Sequence, residues 1–180
     1  ITQNPQDAVA IKNLGNVYLG MGDNKSAIIE YTKAVAVKAE PNFFNNRCLA
    51  WNNEKEYEKA LRDCDEALAI NPDHTSALIN RGNTFRLKGE YDKAIEDYGR
   101  SLKVTPAGDA YNPPMAYYNR ALVYQAQKKF DLAISDIAKV IELQPNNADA
   151  YSLRAEIYQV QGNLTHARDD YRKALRLRRK

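Results

Sequence analysis

NRGNTFRLKGEYDKAIEDYGRSLKVTP, residues 80–106, is the stretch that decides the fold. In it a small residue, Gly82, is followed three residues later by an aromatic, Phe85, and twelve residues later by Ala94. The same pattern returns through the chain at spacings of 33, 34, 39 and 34 residues. Its small residues are Gly15, Cys48, Gly82, Ala121 and Ala155. A period in the mid-thirties is typical of a solenoid of stacked repeats and not of a closed domain with a catalytic pocket.

The repeat resembles the tetratricopeptide repeat, a helix–turn–helix unit. The resemblance rests on the runs NLGNVY, NRCLAW, NRGNTF, NRALVY and LRAEIY, each followed at a fixed interval by an alanine. Pro72, Pro106 and Pro145 then close three of the units. This resemblance implies an all-α fold, a right-handed superhelical solenoid of helix–turn–helix units. In this family the inner wall of the superhelix is lined by the first helix of each unit.

The units divide the chain into five repeats that follow one another almost without interruption. We predict repeats at residues 8–40, 41–74, 75–108, 114–147 and 148–180, with an inserted loop at 109–113. The loop is favoured by the Gly, Asn and Pro of AGDAYNPP, and it is either a tolerated insertion or a ligand contact anchored by Tyr111. Residues 1–7 are predicted to be the tail of an earlier repeat, so we expect the chain to be a fragment.

Each repeat has apolar positions three and four residues apart, which predict two amphipathic helices. Gly22, Gly89 and Gly162 stand where the first helix should end in a left-handed residue. Lys55 and Lys128 stand at the same place in the second and fourth repeats, where we expect weaker caps. Apolar residues near the end of each second helix should pack under the next repeat. In the last repeat this set is Leu175 and Leu177, so we expect it to be covered by self-association through the C-terminal repeat or by residues beyond this fragment.

Composition and motifs argue against several classes of function. A formal charge of +3 with interleaved acidic and basic residues does not favour nucleic acid binding, and no apolar run approaches the length of a membrane helix. The chain ends in the basic run RKALRLRRK, residues 172–180. We interpret its cations as favourable charges at the negative, C-terminal end of the last helix dipole. No HExxH, P-loop, GxGxxG or GxSxG motif occurs, and His74 and His166 are isolated and expected to be solvated. We therefore predict no catalytic residue, no metal and no cofactor.

Both cysteines fall at predicted core positions. Cys48 takes the small-residue place on a first helix, and Cys64 takes a core place on the second helix of the same repeat. Buried free thiols are the favoured interpretation. Because the two helices face each other, a disulfide is also conceivable.

A row of asparagines should line the inner wall. Asn13, Asn46, Asn80 and Asn119 share the sixth position of four repeats, and Asn16 and Asn83 add a second position. Asparagine is a poor residue inside a helix, so its recurrence calls for a reason. A row of carboxamides can bind the backbone of an extended peptide, and it resembles the asparagine ladder of O-linked N-acetylglucosamine transferase. The alternatives are bonds to the neighbouring repeat and simple repeat duplication.

A second resemblance is to co-chaperones that hold the C-terminal carboxylate of Hsp70 or Hsp90 chaperones. Lys12, Asn16 and Asn46 match three positions of that two-carboxylate clamp. Ser76 and Asn80 stand where the clamp has Lys and Arg. The loss of two cations weakens the match, and Arg86, also expected on the inner wall, would compensate in part.

Arginine and aspartate recur together in the second to fifth repeats, always 16 residues apart. We predict partly buried ion pairs inside each repeat, with a structural role. The predicted pairs are Arg47 with Asp63, Arg81 with Asp97, Arg120 with Asp136 and Arg154 with Asp170.

The sequence therefore predicts a non-enzymatic protein-interaction module that binds an extended segment of a partner protein in its concave groove. A clamp for a chaperone tail is the first alternative. A targeting region of a larger enzyme and an assembly scaffold that uses its convex face are two others. The sequence does not identify the compartment, although a cytoplasmic location is slightly favoured.

Overall fold

The computed structural model describes residues 5–105 and 112–179. Within these residues the chain forms ten α-helices and no strand. In chain order the helices are α1 (Pro5–Gly20), α2 (Asn24–Val37), α3 (Pro41–Asn53), α4 (Tyr57–Ile70), α5 (Thr75–Leu87), α6 (Tyr91–Val104), α7 (Asn112–Ala126), α8 (Phe130–Leu143), α9 (Ala148–Val160) and α10 (Leu164–Arg178).

The chain divides into two compact units, Ile1–Lys93 and Ala94–Lys180, and the division falls inside α6. In the first unit, α1 packs on α2 and α3 on α4, and the pairs are joined where α2 packs on α3 and α4 on α5. In the second unit, α7 packs on α8, α9 on α10, and α8 on α9. Each unit is thus built from helix–turn–helix pairs that bury their apolar faces against one another.

The turns between paired helices use a left-handed residue. Gly22, Gly89 and Gly162 all have φ of 79° there, where glycine carries no steric penalty. Lys55 and Lys128 adopt the same conformation with φ of 62° and 59°. A side chain is disfavoured at such φ values, so the turns of the second and fourth repeats form at a higher conformational cost.

The small residue of each repeat allows two helices to approach closely. At Gly15 an added Cβ would lie 2.6 Å from Cε1 of Tyr31, whose side chain is fully buried. Ala121 is fully buried in the second unit and packs in a cluster that contains Ile137. The size of this residue therefore sets how closely the first and second helices of a repeat can pack.

The equivalent place in the second repeat carries a disulfide. Cys48 on α3 and Cys64 on α4 are bonded, with their Cα atoms 5.6 Å apart, and both are fully buried. The favoured prediction of two free buried thiols is therefore wrong. The bond forms because the small-residue place of the first helix lies directly against a core position of the second.

Two helix boundaries differ from the predicted domain limits. Helix α1 begins at Pro5, so part of the segment predicted as the tail of an earlier repeat belongs to the first helix. Helix α7 begins at Asn112, so the last two residues of the predicted inserted loop are helical. The remainder of that loop, including Tyr111, lies outside the described residues. Leu175 is 55% exposed, and self-association through it stays a prediction.

Candidate functional site

The sixth-position asparagines lie on successive first helices but differ in exposure. Asn13 on α1 is exposed, Asn46 on α3 and Asn119 on α7 are half-buried, and Asn80 on α5 is only 7% exposed. Equal positions in the repeat therefore do not give equal access to a ligand.

A chain of side-chain amides connects α1, α3 and α5 in the first unit. Oδ1 of Asn16 accepts from the Tyr31 hydroxyl at 2.8 Å and from Nδ2 of Asn46 at 2.9 Å. Oδ1 of Asn46 accepts from Nδ2 of Asn45 at 3.3 Å. Oδ1 of Asn45 in turn accepts from Nδ2 of Asn80 at 2.9 Å. Each amide in the series therefore satisfies its neighbour, and the series crosses three repeats.

This arrangement corrects the predicted role of Asn80. Its amide is buried and bonded to Asn45, so it stabilises the contact between α3 and α5 and does not face a ligand. A second buried bond reinforces the contact, because Thr84 Oγ1 donates to Oδ1 of Asn52 at 2.9 Å.

The exposed end of the amide series lies beside a lysine. Lys12 precedes Asn16 by one helical turn on α1, so the two side chains share a face. Lys12 is half-buried, Asn16 is exposed and Asn46 is half-buried. Within the described part of the chain, Lys12 makes no hydrogen bond or ion pair. This cluster, which we call the Lys12 cluster, comprises Lys12, Asn16 and Asn46.

The remaining predicted groove residues are less closely grouped. Asn83 and Arg86 are half-buried on α5, and Nε of Arg86 is buried without a hydrogen-bond partner among the described residues. Asn119 lies in the second unit, where it lines a cleft of about 270 Å³ together with Tyr118 and Asp149. Burial raises the pKa of the Tyr118 hydroxyl, and the charges of Asp149 and Glu156 raise it further.

Three of the four predicted arginine–aspartate contacts are present as two hydrogen bonds each, from one guanidinium to both carboxylate oxygens within a repeat. Arg47 donates to both oxygens of Asp63 at 2.7 and 2.6 Å. Arg120 does the same to Asp136 at 2.7 Å for each bond, and Arg154 to Asp170 at 2.7 and 2.9 Å. The bonds to aspartate raise the pKa of the Arg120 and Arg154 guanidinium groups.

Arg81 has an ion pair that the repeat pattern did not predict. Its guanidinium donates to Asp65 on α4 at 2.7 Å, and Asp65 is exposed. Asp97 is 4% exposed. Pairing of Arg81 with Asp97 stays a prediction.

His74 is not the solvated histidine that its isolation in the sequence suggested. It is half-buried at the start of α5, where Nδ1 accepts from the backbone N–H of Ala77 at 3.2 Å. Its Nε2 lies 2.8 Å from Oδ1 of Asn42, and burial lowers the pKa of the imidazole. His74 therefore caps a helix and connects it to α3. His166 is exposed, as expected.

Across residues 5–105 and 112–179, no group of three or more His, Cys, Asp or Glu side chains is placed to hold a metal ion. None of the described helices combines the length and the apolar character that a membrane span requires.

These features define the class of the molecule, an all-α protein of tandem helix–turn–helix repeats. Family models for the tetratricopeptide repeat match residues 13–41, 41–74, 75–106, 114–147 and 148–180. The chain belongs to the tetratricopeptide repeat family. The predicted family and all-α repeat fold are thereby confirmed, and repeats of this family are typical of protein–protein interaction.

Several curated proteins share part of this repeat region. The chain is 27% identical over 138 residues to mouse "Sperm-associated antigen 1", covering 77% of this chain and 15% of that protein. It is 34% identical over 128 residues to "RNA polymerase II-associated protein 3" of Xenopus tropicalis, covering 70% and 18%. It is 29% identical over 149 residues to the "Heat shock protein sti1 homolog" of Schizosaccharomyces pombe, covering 83% and 23%. The chain thus spans less than a quarter of each of these relatives.

Solved structures show the same fold. The "First TPR of Spaghetti (RPAP3) bound to HSP90 peptide SRMEEVD" is 29% identical with a TM-score of 0.62, covering 71% of this chain and 98% of that one. The Pseudomonas aeruginosa pilF structure has a TM-score of 0.84 at 20% identity, covering 97% and 78%. The second likeness concerns the fold alone.

Proposed function

We propose that this chain is a non-enzymatic module that binds an extended segment of a partner protein along the first helices of its first three repeats. The observation that carries the proposal is the Lys12 cluster. It combines a cation without a partner in the described part of the chain and two carboxamides joined by a 2.9 Å hydrogen bond. The likeness to a repeat domain solved with a bound peptide supports the same function.

The cluster is suited to ligand atoms that accept hydrogen bonds. Oδ1 of Asn16 is already engaged by Tyr31 and Asn46, which orients its Nδ2 group away from those partners. Nδ2 of Asn46 uses one N–H for that bond and keeps a second. With the ammonium of Lys12 nearby, the cluster offers several donors and one positive charge. A carboxylate or a backbone carbonyl of the ligand satisfies such a set.

A carboxylate-bearing peptide tail is the ligand that we favour. The peptide in the related structure, SRMEEVD, ends in an aspartate and a terminal carboxylate. The Lys12 cluster supplies three of the five residues of the clamp that the sequence resembles. Asn80 is buried and adds no cation, so the second carboxylate lacks the partner that it has in that clamp. We therefore expect the chain to bind one carboxylate through the Lys12 cluster, with lower affinity than a complete clamp.

Fluorescence anisotropy with labelled SRMEEVD tests the proposal. We expect measurable binding that weakens roughly tenfold for Lys12→Ala, because a charge-assisted bond is lost. A version of the peptide with an amidated C-terminus should also bind more weakly. Lys25→Ala is the matched control, since Lys25 is an exposed lysine on α2. Equal effects of Lys12→Ala and Lys25→Ala would contradict the role of the cluster.

The natural partner can be sought with the same variants. Affinity capture with the wild-type chain and with a Lys12→Ala, Asn46→Ala variant, compared by mass spectrometry, should show partners that depend on the cluster. If the partners captured by the two forms are the same, the binding surface lies elsewhere on the chain.

A further inference from the structure

The second unit has a cleft of its own between its first helices, α7 and α9. Two adjoining cavities, of about 270 and 240 Å³, share Tyr118 and Asp149 in their walls. The smaller one is also lined by Gln125, Ser152 and Glu156. This is the surface that corresponds, in the second unit, to the one that carries the Lys12 cluster in the first.

The charge of this cleft is opposite to that of the Lys12 cluster. Asp149 and Glu156 lie two turns apart along α9, with Tyr118 of α7 close enough for both carboxylates to raise the pKa of its hydroxyl. Glu156 is exposed and makes no hydrogen bond or ion pair with any described residue. The cleft therefore contains an unneutralised carboxylate beside a half-buried aromatic ring.

An arginine of the chain itself already lies at the edge of the cleft. Nη2 of Arg178, at the end of α10, donates to Asp149 at 2.8 Å and lies 3.3 Å from Oγ of Ser152. Arg178 is the one cation that lines the cleft within the described residues. Its side chain is 55% exposed and that of Asp149 is 74% exposed, so the pair is weak and readily replaced.

We propose that this cleft binds an arginine or lysine side chain of a partner segment, and that Arg178 occupies part of the site until the partner replaces it. The partner cation would pair with Asp149 and Glu156 and lie against the ring of Tyr118, where a cation is attracted to the aromatic face. The inference rests on the proposed function, because it assigns a ligand chemistry to the first helices of the second unit.

The test uses a labelled peptide with two arginines, acetyl-GSRGSRGS, in anisotropy titrations at fixed low ionic strength. Asp149→Asn with Glu156→Gln should weaken its binding roughly fivefold to thirtyfold. Glu142→Gln with Asp169→Asn is the matched control: it removes the same charge from exposed carboxylates on α8 and α10 that do not line the cleft. Equal weakening by both double variants, or no binding by the wild-type chain, would overturn the proposal.

Competition by Arg178 is tested separately. Arg178→Ala should strengthen binding of the arginine peptide by roughly twofold to fivefold, whereas Arg176→Ala, which removes the same charge two residues earlier on α10, should change it less. Equal effects of the two variants would contradict replacement of Arg178. The double variant at positions 149 and 156 should leave SRMEEVD binding unchanged. If only SRMEEVD does not bind as expected, the proposed function is contradicted. If only the arginine peptide does not bind as expected, this inference is contradicted.

Discussion

Nδ2 of Asn80 donates a hydrogen bond to Oδ1 of Asn45 at 2.9 Å, and each residue is 7% exposed. Asn45 lies on α3 and Asn80 on α5, so this buried bond joins two consecutive repeats. Asn45 also donates to Asn46, which belongs to the Lys12 cluster. The stacking of the repeats and the orientation of the proposed ligand-binding amides therefore depend on one connected set of hydrogen bonds.

The first prediction concerns the stability that this bond provides. Asn80→Ala leaves a buried oxygen of Asn45 without its donor and should lower the free energy of unfolding by about 1–3 kcal/mol. Urea denaturation followed by circular dichroism measures the change. Asn13→Ala is the control, because Asn13 holds the same repeat position but is exposed; its effect should stay within about 0.5 kcal/mol. Similar losses in the two variants would show that burial of the amide does not matter.

The second prediction concerns the ion pair of Arg120 and Asp136. Asp136 is 6% exposed, so Arg120→Leu leaves a buried carboxylate without its partner and should cost about 1–3 kcal/mol. Adding Asp136→Leu should recover part of that loss, which a double-mutant cycle measures as a coupling energy. The exposed pair of Lys139 and Glu142 gives a control cycle, in which solvent screening should make the coupling energy much smaller. Additive effects at positions 120 and 136 would contradict a coupled pair.

The third prediction concerns the disulfide between Cys48 and Cys64, which are 16 residues apart. Closing a loop of this length restricts the unfolded chain, so reduction should lower the free energy of unfolding by about 3 kcal/mol. Denaturation with and without dithiothreitol measures this loss in the free energy of unfolding. The control is a Cys48→Ala, Cys64→Ala variant, whose stability should not respond to the reductant. Alkylation of the denatured, unreduced protein should modify neither cysteine. Two modified thiols would contradict the bond.

The fourth prediction concerns pH and His74. Burial lowers its pKa below 6.5, so the neutral imidazole is favoured in the folded state. The unfolded chain then binds more protons than the folded chain between the two pKa values. The stability that the neutral His74 contributes is therefore fully present above the pKa of His74 in the unfolded chain. It is lost as the pH falls through the pKa of His74 in the folded chain.

His74→Asn keeps an oxygen that can cap α5 but does not titrate in this range. The stability of this variant should therefore depend less on pH between about 7 and 5 than that of the wild-type chain. His166→Gln, at an exposed histidine, is the control and should retain the wild-type dependence. If His74→Asn retains the wild-type dependence of stability on pH as well, the capping role of the neutral imidazole is contradicted.

Much of the fold could be predicted from the sequence because the repeat pattern acts within one helix pair. The spacing of Gly15, Cys48 and Ala121 identified where helices approach closely, and the glycines at 22, 89 and 162 identified the turns. The contact of Arg47 with Asp63 lies within a single repeat, so a separation of 16 residues was enough to suggest it. In each case local periodicity decides which side chains face each other.

The features that the sequence left open depend on how side chains from different helices meet. Periodicity placed Asn16, Asn46 and Asn80 on first helices, but only the stacking of α1, α3 and α5 buries Asn80 and leaves Asn16 exposed. The bonding of Cys48 to Cys64 and the capping by His74 depend on distances of a few ångströms that a repeat pattern does not specify. The sequence by itself thus determined the family and the helices. The tertiary structure decided which polar groups satisfy one another and which stay available to a partner, because hydrogen bonds and disulfides require short distances between atoms.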